Sequence, residues 1–178
     1  MGGTVLNRDR IINRLGALAL ALGDAQLTAA REASGLGPSA CATVLTLRAH
    51  PGLSIGELAK IAGLTHSVMV RTVAGLERSR LLSRQRGSDR RNVTLRLTAS
   101  GMRAGQVIAV ARRVALEAAL QSLSREELLQ LDRIMTPMLI GLTTGREQSD
   151  HLCRLCDEAA CGADCPVELE ARRIGSRA

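Results

Sequence analysis

The sequence contains no phenylalanine, tryptophan or tyrosine. Proteins that bind single strands stack bases on aromatic rings, and the sequence-specific RNA modules do the same. Their absence excludes those classes and leaves duplex DNA as the better nucleic-acid partner. It also means that any core is built from Leu, Ile, Val, Ala and Met. Lysine is nearly absent, with Lys60 alone among 24 basic residues. That bias belongs to overall composition, so the position of the arginines says more than their number. Histidine occurs only at 50, 66 and 151, far apart in sequence. There is no phosphate-binding Gly-Lys loop, no H-E-x-x-H and no G-x-S-x-G, so no catalytic motif points to an enzyme. No apolar run approaches the roughly 20 residues of a membrane span. The stretch Leu15–Leu22, behind Arg8, Arg10 and Arg14, has the outline of a signal peptide. Its apolar face continues through Ala25 and Ala29, which favours a helix of the fold and a cytoplasmic protein.

What is present is charge in one place. The 178 residues carry a net charge of +7. Residues 54–97 hold nine basic side chains (Lys60, Arg71, Arg78, Arg80, Arg84, Arg86, Arg90, Arg91, Arg96) against Glu57, Glu77 and Asp89, a net of +6. Residues 145–178 hold five arginines against seven carboxylates. A basic middle with a mildly acidic tail points to a polyanionic partner for the middle.

Apolar periodicity and capping signals divide the chain into a mainly α fold with a small β-hairpin wing. Asn7 caps a first helix to about Glu32, with Ile11, Ile12, Leu15, Leu18, Leu22 and Ala25 at three- and four-residue steps. Ser34-Gly-Leu-Gly37 breaks it, and Pro38 opens a second helix to about Ala49. Ser54-Ile-Gly-Glu57 is a capping box for a short third helix that Gly63 ends. Thr65 caps a fourth, to about Ser79. Leu81–Gln85 and Asn92–Leu97 are short strands around the polar turn Arg86–Arg91. Thr98 caps a fifth helix to about Leu120. A second capping box, Ser124-Arg-Glu-Glu127, opens a sixth to about Leu142, where Pro137 should kink it. The chain then divides into residues 1–34 and 98–144 as dimerisation helices, 35–97 as a DNA-binding lobe, and 145–178 as a cysteine-rich tail with little periodicity.

The third and fourth helices, joined at Ala62-Gly63-Leu64, form a helix-turn-helix. Ala59 is small where the helices cross, and Gly63 can take the positive φ of the turn. The second helix of such a pair enters the major groove, and its first turns touch base edges. Thr65 and Ser67 offer hydroxyls, His66 and Arg71 reach guanine acceptors, and Val70 meets a thymine methyl. Arg84, Arg86, Arg90 and Arg91 make the hairpin basic, with Asp89 able to hold an arginine extended. A thin arginine-bearing loop suits the narrow minor groove. Each piece alone is weak, because helix pairs and Arg-rich turns are common. Their order carries the argument: capped short helix, Gly turn, second helix, strand, basic hairpin, strand.

Here the chain resembles the MarR family of winged-helix regulators. The resemblance lies in Leu53-Ser-Ile-Gly-Glu-Leu-Ala59, Gly63-Leu-Thr65, Val70-Arg-Thr-Val73, Leu76-Glu-Arg78 and Leu81-Leu82, then Asp89-Arg-Arg91, Val93-Thr-Leu-Arg-Leu-Thr98 and Gly101. It implies an obligate homodimer on a pseudo-palindromic operator, held by the first, fifth and sixth helices. It also implies a repressor released by an effector bound between those helices and the DNA-binding lobe. Carried over by position, Thr65 to Arg71 read the major groove and Arg90 the minor groove. Independently, the terminal helices Ile11–Leu22, Val107–Leu120 and Leu128–Leu142 are too apolar to stand alone in water; packing within one monomer is the alternative, and two-fold symmetry matching a two-fold operator favours the dimer.

The tail lies outside the matched region. Cys153, Cys156, Cys161 and Cys165 follow the spacing C-x2-C-x4-C-x3-C. In a cytosolic protein such clustering suggests metal or redox chemistry rather than structural disulfides. Four thiolates can close a zinc site. The final C-x3-C-P echoes an iron–sulfur run, but that run has two residues where this chain has four. A metal site, a thiol–disulfide switch and cysteines of no special role all stay open. The competing function is a metal- or redox-active protein whose tail does the chemistry. Cys41, inside a helix, reads as a small buried apolar residue.

Overall fold

A computed structural model describes residues 7–86 and 93–176, with the side chains of Arg86 and Ala159 left out. Helix α1 spans Arg8–Ser34, capped by Asn7, whose Oδ1 accepts from the Arg10 amide at 2.9 Å. Gly35 ends it at φ 69°, a left-handed position that suits glycine. Helix α2, Pro38–Ala49, has Pro at its first position and is buried from Cys41 to Leu47. It is the central element, in contact with α1, α3, α4, α5 and β2.

Helix α3 spans Ile55–Ala62, and both halves of the capping box form between Ser54 and Glu57. Gly63, at φ 64°, turns the chain into α4, His66–Arg78, which Thr65 caps through the Val68 amide. Strands β1 (Leu82–Arg86) and β2 (Val93–Leu97) pair antiparallel, with Leu82 opposite Leu97 and Arg84 opposite Leu95. Arg86, expected in the turn, is thus the last residue of β1. The Gly52 amide donates to the Leu95 carbonyl, and the Leu95 amide to the Leu53 carbonyl, each at 2.9 Å. This lashes the segment before α3 to the wing.

Helix α5, Ala99–Leu120, starts at the Thr98 cap and lies along α1. Gly101 allows a close approach: a Cβ there would stand 1.9 Å from the Leu81 carbonyl oxygen. The core is aliphatic, as the missing aromatics require. Leu47, Leu58, Met69, Leu76, Leu95 and Ile108 are its largest fully buried side chains. Each such residue contributes about 1.5–3 kcal/mol over an exposed one. Together they clamp α2, α4, the wing and α5 into one body, which fixes where the fourth helix points. Burial also pushes the Cys41 thiol up, consistent with an inert core residue.

Helix α6, Arg125–Leu142, forms on its capping box and continues through Pro137. None of its residues is buried. The tail is more regular than its sequence suggests: α7 (Arg146–Cys153), α8 (Glu158–Cys161), a 3-10 turn (Gly162–Asp164) and α9 (Pro166–Gly175). Helices α7 and α9 pack on each other, α7 also on α3, and α9 on α6. The reason periodicity missed them is length: α7 and α8 are eight and four residues long, too short to show a stripe.

Candidate nucleic-acid interface

Helix α4 is divided cleanly into two faces. Met69, Val73 and Leu76 are buried. Thr65, His66, Ser67, Val70 and Arg71 are all exposed, on the first two turns. Five residues expected to read bases therefore sit together on one free surface. Three- and four-residue spacing produces this: the apolar positions anchor the helix, and the residues between them must face out. The Thr65 hydroxyl accepts from the Val68 amide at 3.4 Å and lies 3.2 Å from the Ser67 hydroxyl. The cap thus also orients Ser67.

The wing separates its expected contacts. Cross-strand pairing puts Arg84 on the same face as Leu95 and Leu82, toward α4. Its Nε donates to both carboxylate oxygens of Glu77 at 3.0 Å. Arg84 is therefore tied to α4 and braces the wing against it. Asp89, Arg90, Arg91 and the Arg86 side chain lie outside the described residues. The outer face carries Arg96, which is exposed opposite Ser83. The alternation Val93-Thr-Leu-Arg-Leu97 carries the signal, because it puts Arg96 on the solvent side of the strand.

A second missed feature is a cleft of about 430 Å³ between the start of α2 and α4. Arg71 and Arg78 line it beside Gly37, Pro38 and Ser39. Helix α2 has no side-chain cap on its first amides. Free amides at a helix N-terminus beside two arginines suit a phosphate oxygen. The signal was in the sequence as Pro38 at the first helical position, with no Ser, Thr, Asp or Asn before it.

The four tail cysteines are free thiols and line one cavity of about 360 Å³, away from α4. The Cys153 thiol beside it holds Cys156 below the ordinary thiol range, against the effect of burial, with Arg112 adding to the lowering. Cys153 is raised by the same contact and by burial. Among the described residues, no three His, Cys, Asp or Glu side chains gather as tightly as a single ion needs. No helix among them is long and apolar enough to cross a membrane.

A short helix, a glycine turn, an exposed second helix and a two-stranded wing define a winged helix-turn-helix protein. Residues 34–91 match the model of the MarR family. The fold is similar to that of YusO from Bacillus subtilis, with a TM-score of 0.63 and 24% identity, covering 75% of this chain and 97% of that one. It is similar to MepR, a transcription regulator of the Staphylococcus aureus multidrug efflux pump MepA, with a TM-score of 0.60 and 20% identity over 77% of this chain and 99% of MepR. It is also similar to Streptococcus pneumoniae FabT, whose structure is of a complex with DNA, with a TM-score of 0.61 and 19% identity over 74% and 94% of the two chains. No curated protein matches the chain.

Proposed function

We propose that this protein is a sequence-specific, double-stranded-DNA-binding transcription regulator that acts as a homodimer, in the sense of a repressor that a small-molecule or redox signal releases. The observation that carries the reading is the division of α4, with Thr65, His66, Ser67, Val70 and Arg71 exposed over a buried Met69, Val73 and Leu76. That surface sits in the segment holding nearly all of the excess positive charge. Its first two turns would enter the major groove, and the wing would reach the adjacent minor groove, where the sequence assigns the contact to Arg90. Arg78 and the start of α2 would grip the intervening phosphates. The similarly folded FabT, solved in a complex with DNA, supports DNA as the partner.

The second copy is argued from α6 and its neighbours. Leu129, Ile134, Met135, Met138 and Leu142 on α6 are exposed, as are Ile11, Ile12, Leu15 and Leu18 on α1. Large apolar side chains left exposed along these two helices are what a partner covers. A two-fold dimer of these helices would present two α4 helices to a two-fold operator.

The test is a titration of the protein against labelled duplex DNA at several salt concentrations. Affinity should fall steeply as salt rises, since neutralised phosphates release counterions. Arg71→Ala and Arg90→Ala should each weaken binding, with a shallower salt slope for the residue that contacts phosphate. Binding that ignores both substitutions would remove the assigned surface.

A further inference from the structure

The tail thiols lie in two contacting pairs. Cys156 lies three residues beyond Cys153, and its amide donates to the Cys153 carbonyl at 2.7 Å. A turn closed in this way brings its end Cα atoms within about 7 Å, roughly the span that a disulfide bridges. The Cys153 thiol donates to the Cys156 sulfur, so the two side chains already meet. Cys161 and Cys165 meet across the 3-10 turn. All four border the same 360 Å³ cavity, and Cys156 also lines the cleft beside α5.

The surroundings suit thiol exchange. Asp150, Glu158 and Glu168 share the cavity wall with the cysteines. Arg146 pairs with Glu168 and Asp150, Arg172 with Glu168, and His50 meets Glu158 at 2.7 Å. Among the described residues, no three His, Cys, Asp or Glu side chains are placed to hold a metal. A dithiol that closes to a disulfide turns two neutral groups into one neutral bridge, and so needs neither counterion nor metal.

The members of the first pair differ. Cys153 is the last residue of α7, where unpaired carbonyls disfavour a negative sulfur. Cys156 stands past the helix end. The Cys153 hydrogen bond lowers it to about 7 against burial, with Arg112 and Arg154 helping and Glu158 opposing. The best attacking thiol in exchange has a pKa near the ambient pH. Cys156 is therefore the nucleophile and Cys153 the resolving thiol.

Both residues between these cysteines are fastened to the DNA-binding lobe. The buried Thr46 hydroxyl of α2 donates to the Arg154 carbonyl at 3.5 Å, and Leu155 packs on the lobe core. Two residues before Cys153, His151 Nδ1 lies 2.8 Å from the Ile61 carbonyl oxygen at the end of α3. Its ring covers the α3–α4 turn so closely that a Cβ on Gly63 would stand 2.9 Å from Cε1. A bridge that tightens the Cys153–Cys156 turn therefore pulls on α2 and on the helix-turn-helix.

We propose that Cys153 and Cys156 form a reversible dithiol–disulfide site that takes low-molecular-weight disulfides as its oxidant, and that closing the bridge weakens the grip of the helix-turn-helix on DNA. The second half rests on the regulator reading above; the first does not. The Cys156 thiolate attacks one sulfur of the small disulfide, forming a mixed disulfide and releasing one thiolate. Cys153 gives its proton to that thiolate and attacks the Cys156 sulfur. The second small thiolate leaves and takes from water the proton that Cys156 had lost. Two protein thiols and one small disulfide thus become one protein disulfide and two small thiols, with two electrons passed to the oxidant.

The reduced full-length protein is incubated with glutathione disulfide, and its thiols are mapped by alkylation and peptide mass. The parent should lose two thiols per chain to a Cys153–Cys156 bridge that dithiothreitol reopens. Cys153→Ser should stop with one glutathionyl group on Cys156, and Cys156→Ser should keep Cys153 free, both with the far-ultraviolet circular dichroism of the parent. In the parent, a first bridge between Cys161 and Cys165, or thiols indifferent to a large excess of glutathione disulfide, would overturn the site. A glutathionyl group on another cysteine in Cys153→Ser would do the same. Duplex affinity is then compared before and after the treatment. Bridging should weaken the parent by about fivefold or more, the lower end of ordinary coupling, and the same treatment should change Cys156→Ser by less than about twofold. Equal or tighter binding by the bridged parent, or an equal loss in Cys156→Ser, would overturn the coupling. Absence of duplex binding in both forms would overturn the regulator reading and the coupling together, leaving the site to be judged on its thiol map.

Discussion

Substituting Gly101 by alanine should cost the fold a measurable amount, and the sign is set by one distance. The added Cβ would lie 1.9 Å from the Leu81 carbonyl oxygen, 3.0 Å from its carbon and 3.2 Å from Leu97 Cβ, where ordinary contact begins at 3.4 Å. The nearest obstacle is backbone and cannot rotate away, so the start of α5 must retreat by about 1.5 Å to clear it. Two hydrogen bonds hold that junction: the Thr98 amide to Leu81 O at 3.0 Å and the Thr98 hydroxyl to Arg80 O at 2.7 Å. Losing or stretching them costs about 0.5–1.5 kcal/mol each. Alanine's better helix propensity returns about 1 kcal/mol. With the strain of overpacking, the net loss is about 2–3 kcal/mol. For a chain of this size that lowers Tm by roughly 5–10 °C. Gly75→Ala is the control, because a Cβ there meets nothing within 4 Å in a helix interior. It should raise Tm by a few degrees, from a gain of about 0.5–1 kcal/mol. Thermal unfolding of both variants at one protein concentration measures the pair. An unchanged or raised Tm for Gly101→Ala would refute the close approach of α5 to the wing.

Further expectations concern assembly and pH. Ile134→Glu with Leu142→Glu puts charge on two α6 side chains that are 58% and 56% exposed. Sedimentation should show a dimer for the parent and a monomer for the double variant; a parent that stays monomeric at tens of micromolar removes the second copy. Glu168 is held at about 2 by Arg146, which donates at 2.6 and 3.1 Å, and by Arg172. Its folded value is depressed, so its stabilisation is present above the unfolded carboxylate range and is lost as pH falls from about 4 to about 2. Glu168→Gln should therefore flatten the acid side of the stability profile and leave neutral pH changed only slightly, because the network is partly exposed. A parent profile already flat over that window would contradict the linkage.

Much of the lobe was legible because its signals are local. Ser54 with Glu57, Thr65, Thr98 and Ser124 with Glu127 each announce a helix start within four residues, and each forms as expected. The exposed face of α4 followed from spacing alone. What spacing could not supply was pairing in three dimensions. Arg84 read as a free DNA contact, yet its strand register aims it at Glu77, seven residues earlier and on another element. The cleft between α2 and α4 unites residues more than 30 positions apart. The tail was least legible, since α7 and α8 are only eight and four residues long and pack on other elements, and the buried side of α9 rests on just Val167 and Ala171. His151 read as an isolated histidine, and only tertiary structure sets it on the Gly63 turn, 90 residues from the Ile61 carbonyl it contacts.

The central claim is that two α4 helices read duplex DNA as a pair. Sequencing the duplexes that the full-length protein retains from a random pool tests this most directly. The account predicts an enriched inverted repeat whose half-sites are centred about one helical turn apart, roughly 10 base pairs or a multiple of it. Retention without sequence enrichment, or enrichment of a single unrepeated half-site, would contradict it.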